Sequence, residues 1–519
     1  MGMSGVSSLN EHLFGVNSRL GLRPCQSSLR SRPTHFPIDS FGGFSHGDAF
    51  RTDVRLSNQP GYPAPVPTGG ARPPPASCIS PTQTMRPTNS CHTGWRRRDI
   101  IKLLGATAVA GPAILRGTAA KAATSKVIKI GFVSPRTGRA AGFGEPDGYV
   151  LGLARQALTS GLTIGGKTYD VQVIDKDGQS NPQRGAQVAN DLINGDGVDL
   201  MLTTSTPETV NPVSDACEAA GVPCISTVVP WEAWYYGRGA KPGQPDAFKY
   251  TYHFCFGVEQ FHLAYTHLWP QVPTNKKVGV MWPNDSDGNA IRRELGPLLA
   301  KEGYLIVDPG AYTDGTNDYS SQIAKFKAEE CEIFNTFPIP PDFVTFWQQA
   351  IQQGYKPKIA QIAKTGLFPS QVEALGAIGV GLASGAYWTP TFPYTSSLTN
   401  ISSKDLATGY QNSLGKQWTQ QLGPSLALFD AAAAALKAAS DPKDKTALTK
   451  AIKALDVETP IGRLQWGKGP NPNVVATPIL GGQWVNAPAG SNYKLDFVLC
   501  ENSSDPNVPV AGQLRAYGT

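Results

Sequence analysis

Three consecutive hydroxyl residues, Thr204-Ser205-Thr206, stand directly before Pro207. Proline is favoured at the first helical position, because the N–H it lacks would have no helical partner there. The remaining free N–H groups of that turn, together with the helix dipole, favour an anion at this point. Hydroxyls beside such a terminus can hold an anion through charge-assisted hydrogen bonds, without a formal positive charge. Other segments carry similar groups: Ser134-Pro135-Arg136-Thr137-Gly138, Ser226-Thr227 leading to Trp231, Trp282-Pro283-Asn284-Asp285, Asn335-Thr336-Phe337 and Lys364-Thr365.

Motifs for other chemistries are weak. No Cys-x-x-Cys occurs, which argues against zinc ribbons and thioredoxin-type sites. His253, Cys255, His262 and His267 match no standard metal spacing, so no metal is expected. Gly142, Gly144 and Gly148 depart from G-x-G-x-x-G, with Pro146 between them, and neither a nucleophile elbow nor a Walker loop is present. With no evident nucleophile–base pair, the reading is of a binding protein with no catalytic residues and no cofactor.

The elements that position these groups recur regularly. Short apolar runs at 127–133, 169–174, 198–202 and 223–227 alternate with helical stretches at 144–160, 181–194 and 207–220. The rhythm resumes with strands at 277–282, 304–307, 332–336 and 359–363, and helices at 289–302, 319–330 and 341–354. A strand and helix every thirty residues or so is the pattern of parallel sheets with crossover helices. Two such blocks predict two doubly wound α/β lobes. The chain then returns with a strand at 385–389, helices near 405–422, 427–440 and 445–455, and β-like pieces at 462–466, 474–480 and 494–499. Crossings between lobes are expected near 251, 383 and 457, giving one lobe of 123–251 plus 384–456 and another of 252–383 plus 457–519. In such sheets ligands bind beyond the carboxyl ends of the strands, where the groups above converge.

The net charge of +6 belongs to the leader. Residues 1–122 hold 14 Lys and Arg against five acids, which leaves 32 bases and 35 acids in the body. No clustered positive surface for nucleic acid is indicated. Residues 1–94 are rich in Pro, Ser, Gly and Arg and read as a disordered leader. Arg96-Arg97-Arg98-Asp99-Ile100-Ile101-Lys102, the apolar stretch 103–115 and Ala120-Lys121-Ala122 then follow the order of an export signal, over 95–122. The paired arginines resemble a twin-arginine signal, and a start at Met85 would give it a short n-region. No Cys follows for a lipid anchor, and no apolar run is long enough to span a membrane. Export permits disulfides. Cys217 and Cys224, at a helix end and the next strand start, form either a bridge or two free thiols.

The body resembles a type I periplasmic solute-binding protein of the branched-chain amino-acid ABC-importer group. Ile130–Gly138 with Phe143-Gly144, the segment 175–181, Thr204-Ser205-Thr206 and Gly221–Ser226 carry the resemblance, which spans about 126–500. It implies two lobes joined by a three-crossover hinge, closure on one small ligand, a membrane permease as partner, and a monomeric extracytoplasmic protein. It places the ligand carboxylate at Thr204, with Ser205, Thr206 and Val228 nearby. It puts an aromatic at Phe143 and Asp287 where the family has a tyrosine. The family's ammonium-binding acid falls near Thr365, beside Lys364, and that departure removes the reason to bind an α-amino acid unless Asp287 serves instead. A small organic acid or amide, walled by Trp231, Trp234, Phe143 and Trp388 and also contacted by Phe337, is the expected ligand. A ligand sensor of the same fold is the alternative, and an exported enzyme a weaker one.

Overall fold

The computed structural model describes residues 127–519. The leader and export signal read at 1–94 and 95–122 lie outside the described residues. Along the chain the strands are β1 (Val127–Ser134), β2 (Leu162–Ile164), β3 (Lys167–Asp177), β4 (Leu200–Thr204), β5 (Cys224–Thr227) and β6 (Thr251–Phe254). Then come β7 (Lys277–Met281), β8 (Leu305–Val307), β9 (Ile333–Thr336), β10 (Ile359–Ile362) and β11 (Ala383–Ala386). The last are β12 (Asp456–Thr459), β13 (Gly462–Gln465), β14 (Val474–Val475), β15 (Leu480–Asn486) and β16 (Leu495–Glu501).

Two seven-stranded sheets form. The first runs β14-β6-β5-β4-β1-β3-β2 and is parallel except at β2. The second runs β16-β15-β11-β10-β9-β7-β8, parallel from β11 to β8 and antiparallel at β15 and β16. Strands such as β4 and β9 are buried along their whole length, as parallel strands covered by helices on both faces must be. The two α/β lobes are therefore present, each with an antiparallel addition at an edge.

The sequence pattern misplaced the crossings. β6 still belongs to the first sheet, and the helix Val258–Leu268 packs on the second, so the first crossing lies at 255–257. β11 belongs to the second sheet, so the chain returns after residue 386. The hairpin β12–β13 packs against the first-lobe helix Leu422–Ala438, and β14 pairs with β6. The third crossing therefore falls at 476–479 rather than near 457. The run 474–480 reads as one apolar piece but is shared between sheets. Asn473 fixes its first half in the first lobe by donating from Nδ2 to the carbonyls of Phe248 (3.0 Å) and Thr251 (2.8 Å).

Beside the first crossing, Trp231 N–H donates to Phe256 O (3.0 Å) and Glu232 Oε1 accepts from Val258 N–H (2.8 Å). A Cβ at Gly257 would lie 2.1 Å from Trp231 Nε1 and 2.4 Å from Glu232 Oε1, so this close approach requires glycine.

Candidate functional site

A narrow cavity of ≈ 40 Å³ lies between the lobes. The first lobe contributes Phe143, Thr206, Val228 and Pro230. The second contributes Phe261, Asp287, Phe337, Ala363, Lys364, Leu367 and Gly385. Each crossing adds one side chain: Phe256, Tyr387 and Ile479. The rings interlock. Phe256 stacks on Tyr387 (5.4 Å) and meets Phe261 edge-on (5.0 Å), and Phe261 meets Phe337 (5.1 Å). Such contacts fix the walls and present an apolar surface to whatever enters. At the cleft mouth Phe143 packs edge-on against Phe368 of the second lobe (4.9 Å), and Arg139 reaches across to Asp342 (3.2 Å).

Hydroxyls at the strand ends divide into two groups. Thr203 donates to Val133 O (2.9 Å), Ser226 to Tyr252 O (3.1 Å) and Thr227 to Phe254 O (2.7 Å), so each is consumed by a neighbouring strand. Thr204 Oγ1 and Ser205 Oγ are fully buried and have no partner. They precede Thr206, which caps the helix Pro207–Ala220 with its backbone, while its side chain makes no capping bond. A buried hydroxyl without a partner is costly unless a ligand supplies one.

The backbone is strained here. Ser205 (φ 112°), Val228 (φ 61°) and Lys364 (φ 40°) all have positive φ without being glycine. Each follows a strand end and each lines the cavity or adjoins a residue that does. Conformations of this kind cost ~1–3 kcal/mol and persist where the surrounding fold over-determines them, typically at binding sites.

On the second lobe, Lys364 Nζ lies 2.8 Å from Asp285 Oδ2 and 2.9 Å from Asp287 Oδ2. Burial alone would push the Lys364 ammonium towards neutrality, but the two carboxylates outweigh it and hold it charged well above the ordinary lysine range. Burial raises the Asp287 carboxyl to about 7, although Lys364 pulls the other way. Asp287 Oδ1 is buried and unpartnered. The lysine is thus bound to the protein's own acids and does not stand free at the rim.

Of the residues read from the sequence, Phe143, Thr206, Val228, Asp287, Phe337 and Lys364 line the cavity. Thr204 and Ser205 adjoin it in sequence. Four others are elsewhere. Trp388 is fully buried and donates from Nε1 to Ser403 Oγ (3.0 Å). Thr365 donates to Pro338 O (3.0 Å). Trp231 packs in an apolar cluster with Val229, Ala290 and Val474. Trp234 stacks on His253 (4.9 Å), whose nitrogens engage Ser226 Oγ and Val229 O (both 2.8 Å). Large indoles in these positions fill core space. Cys217 and Cys224 are buried free thiols, so the bridge is not formed. The residues that were missed are chiefly the hinge side chains Phe256, Tyr387 and Ile479. Correct crossing positions would have revealed them.

Comparison with known proteins agrees with this geometry. The family model described as periplasmic binding protein matches residues 127–487. Leu/Ile/Val-binding protein homolog 8 of Brucella suis biovar 1 (strain 1330) is 25% identical over 410 residues, covering 75% of this chain and 94% of that protein. The substrate binding protein LivJ of Streptococcus pneumoniae, solved with isoleucine, superposes with a TM-score of 0.57 at 17% identity, over 72% of this chain and 99% of its own. A solute binding protein of an ABC transporter from Rhodopseudomonas palustris BisB5, solved with 3,4-dihydroxy benzoic acid, gives 0.57 at 16% identity, over 74% and 99%. With the matched segment running through both sheets and all three crossings, the chain belongs to the periplasmic binding protein family.

Proposed function

We propose that the protein is the extracytoplasmic substrate-binding component of an ABC uptake transporter, which captures a small carboxylate with an apolar body and delivers it to a membrane permease. The observation that carries this reading is the pair of buried, unpartnered hydroxyls, Thr204 Oγ1 and Ser205 Oγ, next to a helix start that no side chain caps. A carboxylate placed there accepts from both hydroxyls and from the Glu208 N–H, since Thr209 and Val210 N–H already donate to Thr206 O. Each charge-assisted bond is worth about 1.5–3 kcal/mol. The rings of Phe143, Phe256, Phe261 and Phe337 then remove the apolar body from water. The lobes close over the ligand about the three crossings, so affinity depends on the population of the closed state.

Relatives solved with isoleucine and with 3,4-dihydroxy benzoic acid support this ligand class, since both ligands join a carboxylate to a hydrocarbon skeleton, aliphatic in one and aromatic in the other. Transport is preferred over catalysis because the family consists of binding proteins. The basic segment at 96–102 and the Ala120–Ala122 site support export by the twin-arginine route. Native mass spectrometry of the purified protein, followed by isothermal titration with branched aliphatic and aromatic acids, tests the ligand class. An intact carboxylic acid released on denaturation is expected. A co-purifying sugar or polyamine would overturn the reading.

A further inference from the structure

Lys364 occupies an unusual position for a cation. The helix Ser286–Lys301 begins at Asp285, whose Oδ1 accepts from Gly288 N–H (2.6 Å). The positive end of a helix repels a lysine. Two acids compensate: Asp285 at the cap and Asp287 in the first turn both bind Nζ, and Glu208 of the first lobe adds attraction from across the cleft. The residue is held in this place. Its backbone is left-handed, Gly366 N–H donates to Ala363 O (3.2 Å), and Thr365 is tied to Pro338. Lys364 and Asp287 both line the cavity, each less than a tenth exposed.

A ligand ammonium entering the cleft would need an acid, and Asp287 is the acid that faces the cavity. Its Oδ2 already receives Lys364. We infer that Lys364 is a built-in counter-cation that fills the seat of a ligand ammonium, so that the cleft selects carboxylates without an amino group. This rests on the carboxylate reading above. An amino acid would bring its ammonium against a like charge in a desolvated site, or would have to displace Lys364 from Asp287.

Isothermal titration with matched pairs tests it: 3-phenylpropionate against phenylalanine, and 4-methylpentanoate against leucine, with phenethylamine as an amine that lacks a carboxylate. In the wild type the acid without the amine should bind at least ~10-fold tighter within each pair. In Lys364→Met the ratio should fall to ~1 or reverse, and phenethylamine binding should emerge, then vanish when Asp287→Asn is added. Equal or tighter binding of the amino acids by the wild type overturns the inference. So does a within-pair ratio that Lys364→Met leaves unchanged, in which case carboxylate binding itself still stands. Amine binding by Lys364→Met without any carboxylate binding would uphold the seat and reject the carboxylate reading. Circular dichroism reports whether the variant folds, and if it does not, the wild-type ratio decides alone.

Discussion

On the first lobe, the helix that meets the cavity starts at Thr206 with no side chain bonded across its first N–H groups. On the second, the helix Ser286–Lys301 that meets the cavity starts under the Asp285 carboxylate, with Asp287 in its first turn and Lys364 bound to both. Both helix termini meet the cavity, and each lobe has residues at positive φ beyond strand ends, Ser205 and Val228 on the first and Lys364 on the second. One terminus is left open, and the other is satisfied by the protein itself. Of these two termini, the one on the first lobe is the seat proposed for a ligand carboxylate.

Copying the second lobe's arrangement onto the first should have the largest effect. Thr206→Asp would cap the open helix with a resident carboxylate, and carboxylate affinity should fall at least ~100-fold by titration. Melting temperature should hold or rise, since Asp is a good N-cap. Binding retained within about threefold would break the contrast between the lobes.

Thr204→Val removes one hydroxyl while keeping the shape. Affinity should drop by ~10–100-fold, the worth of a bond to a charged group. Because Thr204 Oγ1 has no partner in the protein, the unliganded variant should melt no lower than the wild type. A loss of stability equal to the loss of binding would mark a structural hydroxyl instead.

Burial raises the carboxyls of several acids: Asp147 and Asp430 in the first lobe and Asp287 in the second to about 7, and Glu232 in the first to about 8. A folded-state value above the unfolded one means that each of these aspartates holds an extra proton in the native protein between about pH 4 and 7. Their contribution to stability therefore falls as pH rises through that window and levels off above it. Asp147→Asn should flatten this slope by an amount on the order of 1–2 kcal/mol, read from denaturant midpoints at pH 5 and 7.5. Asp287→Asn should additionally lower stability at every pH, because it strips a partner from Lys364. Identical pH profiles for the two variants would contradict the difference drawn between the lobes.

The smallest effect is expected at the cleft mouth. Arg139 is 49% exposed in its pair with Asp342, so solvent screens it. Arg139→Ala should weaken ligand binding by under about fivefold, mainly through faster release, and the effect should shrink at high salt.

The fold was legible because strand–helix alternation leaves a strong periodic trace. The helix start of the proposed anion site was legible too, since a hydroxyl run before Pro207 marks where a helix begins. The crossings were not. β6 and β14 have the same apolar character whichever sheet they join, and only pairing decides their lobe. Phe256, Tyr387 and Ile479 stayed hidden for that reason. The tryptophans misled because an indole can wall a cleft or fill a core, and composition does not distinguish the two. The pairing of Lys364 was not legible, because its partners Asp285 and Asp287 lie 79 and 77 positions away in the sequence.

The late position of β14, β15 and β16 bears on how the chain is made. During synthesis, residues 127–386 emerge carrying most strands of both sheets, yet each sheet still lacks an edge. Those edges arrive only with residues 474–501. A nascent chain halted before that point exposes unpaired strand edges in two places at once, which is where chains associate wrongly. The first sheet is completed only at residue 475 and the second only at residue 501, so both lobes are finished within one late stretch of the chain. Translation delivers them as one folding unit.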